Sequence, residues 1–225
     1  MDMIDTTRNF IFTGYSSPSI PVGTMYCIGR NYAAHAREMG AEVPSAPLVF
    51  IKPPAAYLPD GCTVTIPEIS RNMHHELEMV VVIGKDGADI SPESALDYVA
   101  GYAVGIDFTL RDIQTIAKQK GEPWAVSKAF VGSAPISMVV PAHILSNPND
   151  ITLELSVNNQ PRQTGNTSMM ERTVEELIAY VSTIFTLRRG DCIFTGTPEG
   201  VAQVQSGDRI SCSLGELTSL TVSVA

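Results

Sequence analysis

The sequence predicts a strand-dominated α+β fold, a mixed β-sandwich roll or barrel with helices as inserts. Three observations carry that expectation. At least eight short stretches alternate apolar and polar residues or form β-branched runs between Gly, Pro, Asn and Asp clusters. Helical spacing is confined to a few segments of modest length. No repeat and no linker divides the 225 residues, so 1–225 reads as one domain.

Within 1–20, residues 9–15 read as a short N-terminal strand, followed by a turn rich in Ser and Pro. Residues 25–28 form a second strand closed by Gly29, and 30–40 form a helix ending on a glycine. Residues 41–47 are polar and Pro-rich and look like a hinge, which makes 30–47 a movable lid segment. Leu48-Val49-Phe50-Ile51-Lys52 reads as a compact buried strand ending on a lysine, and 63–66 as a short alternating strand. Ser91-Pro92-Glu93 opens a helix, with serine as N-cap and proline in the first turn. Residues 98–106 are apolar and end at Asp107, and a further helix starts within 109–114. Residues 151–157 alternate cleanly, and Asn158-Asn159 turns them back as a hairpin. Thr173 caps an amphipathic helix running to about Phe185, with Glu176 at the capping-box position. A strand at 192–194, a Gly- and Thr-rich turn at 195–201 and two closing strands complete the chain. That turn lacks the Gly-Lys-Ser/Thr ending of a P-loop, although its N–H groups could hold an anion.

Composition narrows the function. With 44% apolar and 17% charged residues the chain can bury a substantial core. A net charge of −9 argues against nucleic acid or an anionic membrane surface as partner. An anionic small substrate would then need local cations. Cys27, Cys62, Cys192 and Cys212 form no CxxC pair, so neither a zinc knuckle nor a redox motif is indicated. The N-terminus shows no basic region followed by an apolar one, and no apolar run reaches the roughly 18 residues of a membrane span. A cytoplasmic location with reduced thiols is expected.

The chemistry centres on His74-His75-Glu76-Leu77-Glu78. The β-branched run that follows reads as a buried strand, so Glu76, Glu78, Val80 and Val82 share a face. Buried carboxylates need a cation or a proton. Asp107 ends the second apolar strand, as if delivered to the same place. An oxygen-only set suits Mg²⁺ or Mn²⁺ rather than Zn²⁺; the plainer reading is that the glutamates fray into solvent. His35 and Glu38 stand three apart on a helix, the spacing of a carboxylate that orients a general base, although surface pairs share it. Arg111 and Gln114 project together from their helix. Lys128 lies among apolar residues near the only tryptophan, Trp124, and either snorkels to solvent or meets an anion.

Several stretches together resemble one family. They are Gly29-Arg30-Asn31-Tyr32 with His35, Phe50-Ile51-Lys52-Pro53, His75-Glu76-Leu77-Glu78 and Asp107-Phe108-Thr109-Leu110-Arg111-Asp112-Ile113-Gln114. Pro123-Trp124 with Lys128 belongs with them, as does Gly190-Asp191 with Thr195-Gly196-Thr197-Pro198-Glu199-Gly200-Val201. This set is similar to the fumarylacetoacetate hydrolase family, and within it to the small one-domain acylpyruvases and oxaloacetate decarboxylases. The likeness runs from Tyr26 onward in the family's order. It implies a single catalytic domain with a β roll of the family's C-terminal-domain type, a lid helix and a homodimer. It implies Mg²⁺ or Mn²⁺ on Glu76, Glu78 and Asp107, and a catalytic set of His35, Glu38 and Lys128. Substrate contacts are implied for Arg30, Arg111, Gln114, Lys128 and Thr197, toward a small anionic 2-oxo acid.

The implied reaction is hydrolysis of the C3–C4 bond of an acylpyruvate, such as acetylpyruvate or fumarylpyruvate, to pyruvate and a carboxylic acid. Oxaloacetate decarboxylation is a companion activity, since it passes through the same enolate. Protonating that enolate without cleavage gives the alternative, a tautomerase or isomerase of 2-oxo or 2-hydroxy-diene dicarboxylates. A non-catalytic 2-oxo-acid binder is the last alternative.

Overall fold

The computed structural model describes residues 8–14, 20–40 and 42–225. Strand exceeds helix, 38% against 22%, in a curled sheet that closes about half a barrel. Along that sheet the order is Leu48–Lys52, Met25–Gly29, Cys192–Phe194, Leu77–Ile83, Val99–Ile106, Ala134–Ile136 and Tyr57–Pro59, with Val140–Pro141 pairing Val99–Ile106 to one side. At its centre Leu77–Ile83 runs antiparallel to Val99–Ile106, and every residue of Leu77–Ile83 is buried. Apart from Glu78 the run is apolar, because both of its faces are covered. Met79, Val81 and Ile83 enter one core, while Val80 and Val82 pack on the other side with Phe10, Met25, Cys27 and Phe194.

A second, five-stranded sheet covers the first face, in the order Gln160–Asn166, Thr152–Val157, Arg209–Leu214, Thr218–Val224, Thr63–Val64. Its alternation is regular: Leu153, Leu155, Val157, Ile210, Cys212, Leu214, Leu220 and Val222 point inward, and their polar neighbours do not. Asn158 and Asn159 take φ of 51° and 62°, the mirror-image turn that matches the twist of a two-residue hairpin. Helix Val174–Ile184 lays Val174, Leu177, Ile178 and Val181 on the same core, and the Thr173–Glu176 capping box is formed in both directions. All four cysteines are free. No helix among the described residues is long and apolar enough to cross a membrane.

Five elements differ from the sequence reading, the simplest being the strand read over 63–66, which is only Thr63–Val64. The N-terminal strand spans only Asn9–Phe10, with a bridge at Phe12 and a turn at Thr13 and Gly14; Tyr15 and the following four residues lie outside the described residues, as does Ala41 of the expected hinge. The helix expected over 30–40 is Ala33–Glu38. It starts late because Arg30 takes a φ of 62° and the Asn31 amide is tied to the carbonyls of Thr195 and Arg172. Leu48–Lys52 is a sheet edge rather than a buried strand: Ile51 is 43% exposed, and only Lys52 is buried. Ser91 makes no side-chain cap, because Pro92–Tyr98 is a 3₁₀ helix in which the Ser91 carbonyl accepts from Ser94 N at 3.1 Å.

Thr173→Ala should lower stability by about 1 kcal/mol, since it removes the hydroxyl that accepts from Glu176 N and leaves only the Glu176 carboxylate on the backbone N–H of residue 173. That corresponds to about 2–4 °C in a thermal melt for a chain of this size. An unchanged melting temperature would mean that the helix end is held by packing alone.

Candidate active site

The central strand pair delivers the acidic groups. Leu77 pairs with Ile106 and Glu78 with Gly105, and Asp107 N donates to the Glu76 carbonyl at 2.8 Å. Glu76, Glu78 and Asp107 therefore converge at one end of the sheet, all buried, with a carboxylate oxygen of each within 4.8 Å of the others. Neither glutamate frays into solvent.

Three cations from three other elements meet them. Lys128 Nζ lies 2.6 Å from Glu76 Oε2 and 2.5 Å from Asp107 Oδ2, so it is not a snorkelling surface lysine. Lys52 Nζ lies 2.8 Å from Asp107 Oδ1, and Arg111 pairs with Glu76 Oε1. Burial disfavours charge on Glu76, but Lys128 and Arg111 outweigh it and hold this carboxyl well below the usual range. Burial, then the charges of Asp107 and Glu76, push Glu78 well above that range. Glu78 accepts from Gly196 N at 2.6 Å, and no cation pairs with it among the described residues. Burial lowers Lys128, but Asp107 and Glu76 more than compensate and keep it protonated. Three converging carboxylates, one of them without a cation, fit a hard divalent ion such as Mg²⁺ or Mn²⁺.

Above the carboxylates lies helix Ala33–Glu38. His35 is buried, its Nδ1 is 3.2 Å from Glu38 Oε2, and Glu38 also accepts from Gly200 N at 3.1 Å. Of the ten residues that the sequence points to, nine line one cavity, and Glu38 stands behind His35. Arg111 Nη1 donates to Gln114 Oε1 at 2.7 Å, which fixes both at the cavity wall. The cavity measures about 40 Å³, room for about three waters.

Three further residues belong here that the sequence reading left out. Lys52 is wholly buried and donates to the carbonyls of Phe108 (3.2 Å), Ser133 (3.0 Å) and Lys128, and to Ser133 Oγ (2.9 Å). Its signal was a lysine closing an apolar strand. Gln163 Oε1 accepts from His75 Nδ1 (2.8 Å) and Leu77 N (3.0 Å), while Nε2 donates to Thr197 Oγ1 and Pro198 O, both at 2.8 Å. Nothing local marks Gln163. Lys118 is seven residues after Arg111 and four after Gln114, hence on the same face of helix Arg111–Lys120. It stands exposed at the cavity rim with Nζ 5.1 Å from the Trp124 ring centroid. Partial desolvation, then the like charges of Arg111, Arg30 and Lys128, lower it to about 8.

The fold and the cavity define a protein with a small enclosed recess beside an acidic, metal-capable centre. Residues 24–225 match the family model described as fumarylacetoacetate (FAA) hydrolase C-terminal. The Bos taurus "oxaloacetate tautomerase FAHD1, mitochondrial" is 46% identical over 198 residues, 88% of this chain and 90% of the relative. The Dictyostelium discoideum "oxaloacetate decarboxylase, mitochondrial" is 47% identical over 188 residues, 83% of this chain and 86% of the relative. A crystal structure of fumarylpyruvate hydrolase from Pseudomonas aeruginosa, in complex with Mn²⁺ and pyruvate, superposes with a TM-score of 0.94 at 39% identity, covering 100% of this chain and 98% of that one. The chain belongs to the fumarylacetoacetate hydrolase family.

Two outcomes follow from the charge balance. Without metal, Glu78 stays protonated above the roughly 4.3 at which an unfolded glutamate ionises. Its contribution to stability is complete below that pH and is lost as pH rises toward the folded-state value, at up to about 1.4 kcal/mol per unit. In chelator, melts from about pH 5 to 8 should thus fall more steeply for the wild type than for Glu78→Gln; parallel curves would refute the assignment. Lys52→Met leaves Asp107 buried with one cation fewer and should cost about 3–5 kcal/mol in chemical denaturation.

Proposed function

We propose that the protein carries out enolate chemistry on 2-oxo acids with a carbonyl at C4, chiefly hydrolysis of the C3–C4 bond of an acylpyruvate. The observation that carries this reading is the His35–Glu38 pair, an imidazole 3.2 Å from its orienting carboxylate and facing the same cavity as the three acidic residues. A divalent ion held by Glu76, Glu78 and Asp107 supplies Lewis acidity toward the carboxylate and 2-oxo oxygens of the substrate. His35, oriented by Glu38, removes a proton from water, and that water adds to C4. The C3–C4 bond breaks with its electron pair going to C3; C4 leaves as the carboxylic acid, and a proton delivered to C3 completes pyruvate. Lys128 and Gln114 present donors where oxygen charge develops, and Thr197 lines the same cavity. With about 40 Å³ of free space under it, helix Ala33–Glu38 must lift for such an acid to enter.

The fumarylpyruvate hydrolase neighbour supports this reading. The same dyad can instead exchange a proton at C3 and interconvert the keto and enol forms of oxaloacetate. The bovine relative favours that second reading.

Proton NMR in D₂O with Mg²⁺ separates the two, with acetylpyruvate, fumarylpyruvate and oxaloacetate tested in parallel against an EDTA control. Acetate or fumarate appearing with pyruvate, and stopped by EDTA, establishes the hydrolase. Deuterium entering C3 without fragments establishes the tautomerase. His35→Ala should lower turnover by roughly 10²-fold or more while metal affinity holds; full hydrolysis by that variant removes the dyad from the mechanism.

A further inference from the structure

The cavity presents four cationic side chains, Arg30, Arg111, Lys118 and Lys128. Two are committed to the protein's own carboxylates, Arg111 to Glu76 and Lys128 to Glu76 and Asp107. Arg30 and Lys118 have no carboxylate within ion-pair distance among the described residues. They reach the cavity from different elements, Arg30 from just before helix Ala33–Glu38 and Lys118 from the second half of helix Arg111–Lys120. Two unpaired like charges at one opening repel each other, and Lys118 titrates low partly for that reason. Arg30 also holds a φ of 62°, a left-handed conformation that a side chain normally avoids. An anion between them would relieve the repulsion.

We infer that Arg30 and Lys118 bind the second carboxylate of a dicarboxylic 2-oxo acid, so that the site selects substrates with an anionic far end over those ending in an uncharged acyl group. This rests on the reading that the acidic centre takes the C1 carboxylate and 2-oxo group of such acids. Trp124 limits the travel of the Lys118 ammonium, 5.1 Å from its ring centroid. Met39, Leu48 and Phe50 supply apolar wall for the carbon chain between the two charged ends.

The test uses two unreactive probes of equal length, 2-oxoglutarate and 2-oxopentanoate, titrated calorimetrically into the Mg²⁺-loaded protein. The wild type should bind 2-oxoglutarate roughly 10- to 100-fold more tightly, the worth of one or two charge-assisted hydrogen bonds. Lys118→Met should bring that ratio to within a few-fold of unity, Lys118→Arg should restore it, and Arg30→Gly, which keeps the backbone conformation accessible, should also lower it. Equal binding of the two probes by the wild type, binding of neither, or an unchanged ratio in both Lys118→Met and Arg30→Gly overturns the inference. The outcome is independent of the reaction assignment. Selective binding with no C3–C4 cleavage would remove the hydrolase reading alone, and cleavage without selectivity would remove this inference alone.

Discussion

The rest of the structure depends on three carboxylates buried within 4.8 Å of one another. Like charges at that separation in a low-dielectric interior cannot stand unless something cancels them. Here the cancelling groups come from a sheet edge (Lys52), a ten-residue helix (Arg111) and a four-residue helix (Lys128). Charge balance thus fastens two helical inserts to the acidic end of the sheet. Three cations offset the three carboxylates at the cavity floor, and Arg30 and Lys118 add positive charge at its opening. A chain of net charge −9 thereby keeps one locally positive recess, which is what an anionic substrate needs from an acidic protein.

The turn at 195–201 serves the same end from above. Its N–H groups do hold anions, but those anions are the protein's own: Gly196 N meets Glu78 and Gly200 N meets Glu38. Both glycines have φ above 90°, and a Cβ at Gly196 would lie 2.8 Å from that of Asn31. One loop therefore positions a proposed metal ligand and the proposed base-orienting carboxylate together.

What could be read from the sequence was whatever repeats or acts over a few residues. Alternation put Glu78 with Val80 and Val82; the 158–159 hairpin and the Thr173 cap are local chemistry; and the Glu-x-Glu plus Asp107 pattern gave the acidic centre. Partner choice was not legible. Lys52 reaches Asp107, Lys128 and Ser133 across more than fifty residues, and Gln163 reaches His75 and Leu77 across 88 and 86. Neither pairing leaves a trace in spacing. Burial at 48–52 misled because an apolar composition does not say whether a strand lies at a sheet's centre or edge. Arg30 misled for another reason: a left-handed arginine in a helix-forming context is set by tertiary contacts against its own propensity. Lys118 was within reach, since its spacing from Arg111 and Gln114 places it on their face.

Gln163 holds two parts of the cavity with one planar group. Its oxygen faces two donors on the acidic strand, and its nitrogen faces two acceptors on the 195–201 loop. The separation between the acidic centre and Thr197 is consequently set by the width of an amide, whatever the position of the helix above. Hydrolytic loss of that amide nitrogen over the protein's lifetime would turn two donors into lone pairs confronting the Pro198 carbonyl. Loss of this one amide would therefore part the 195–201 loop from the acidic strand, without altering any of the three acidic residues.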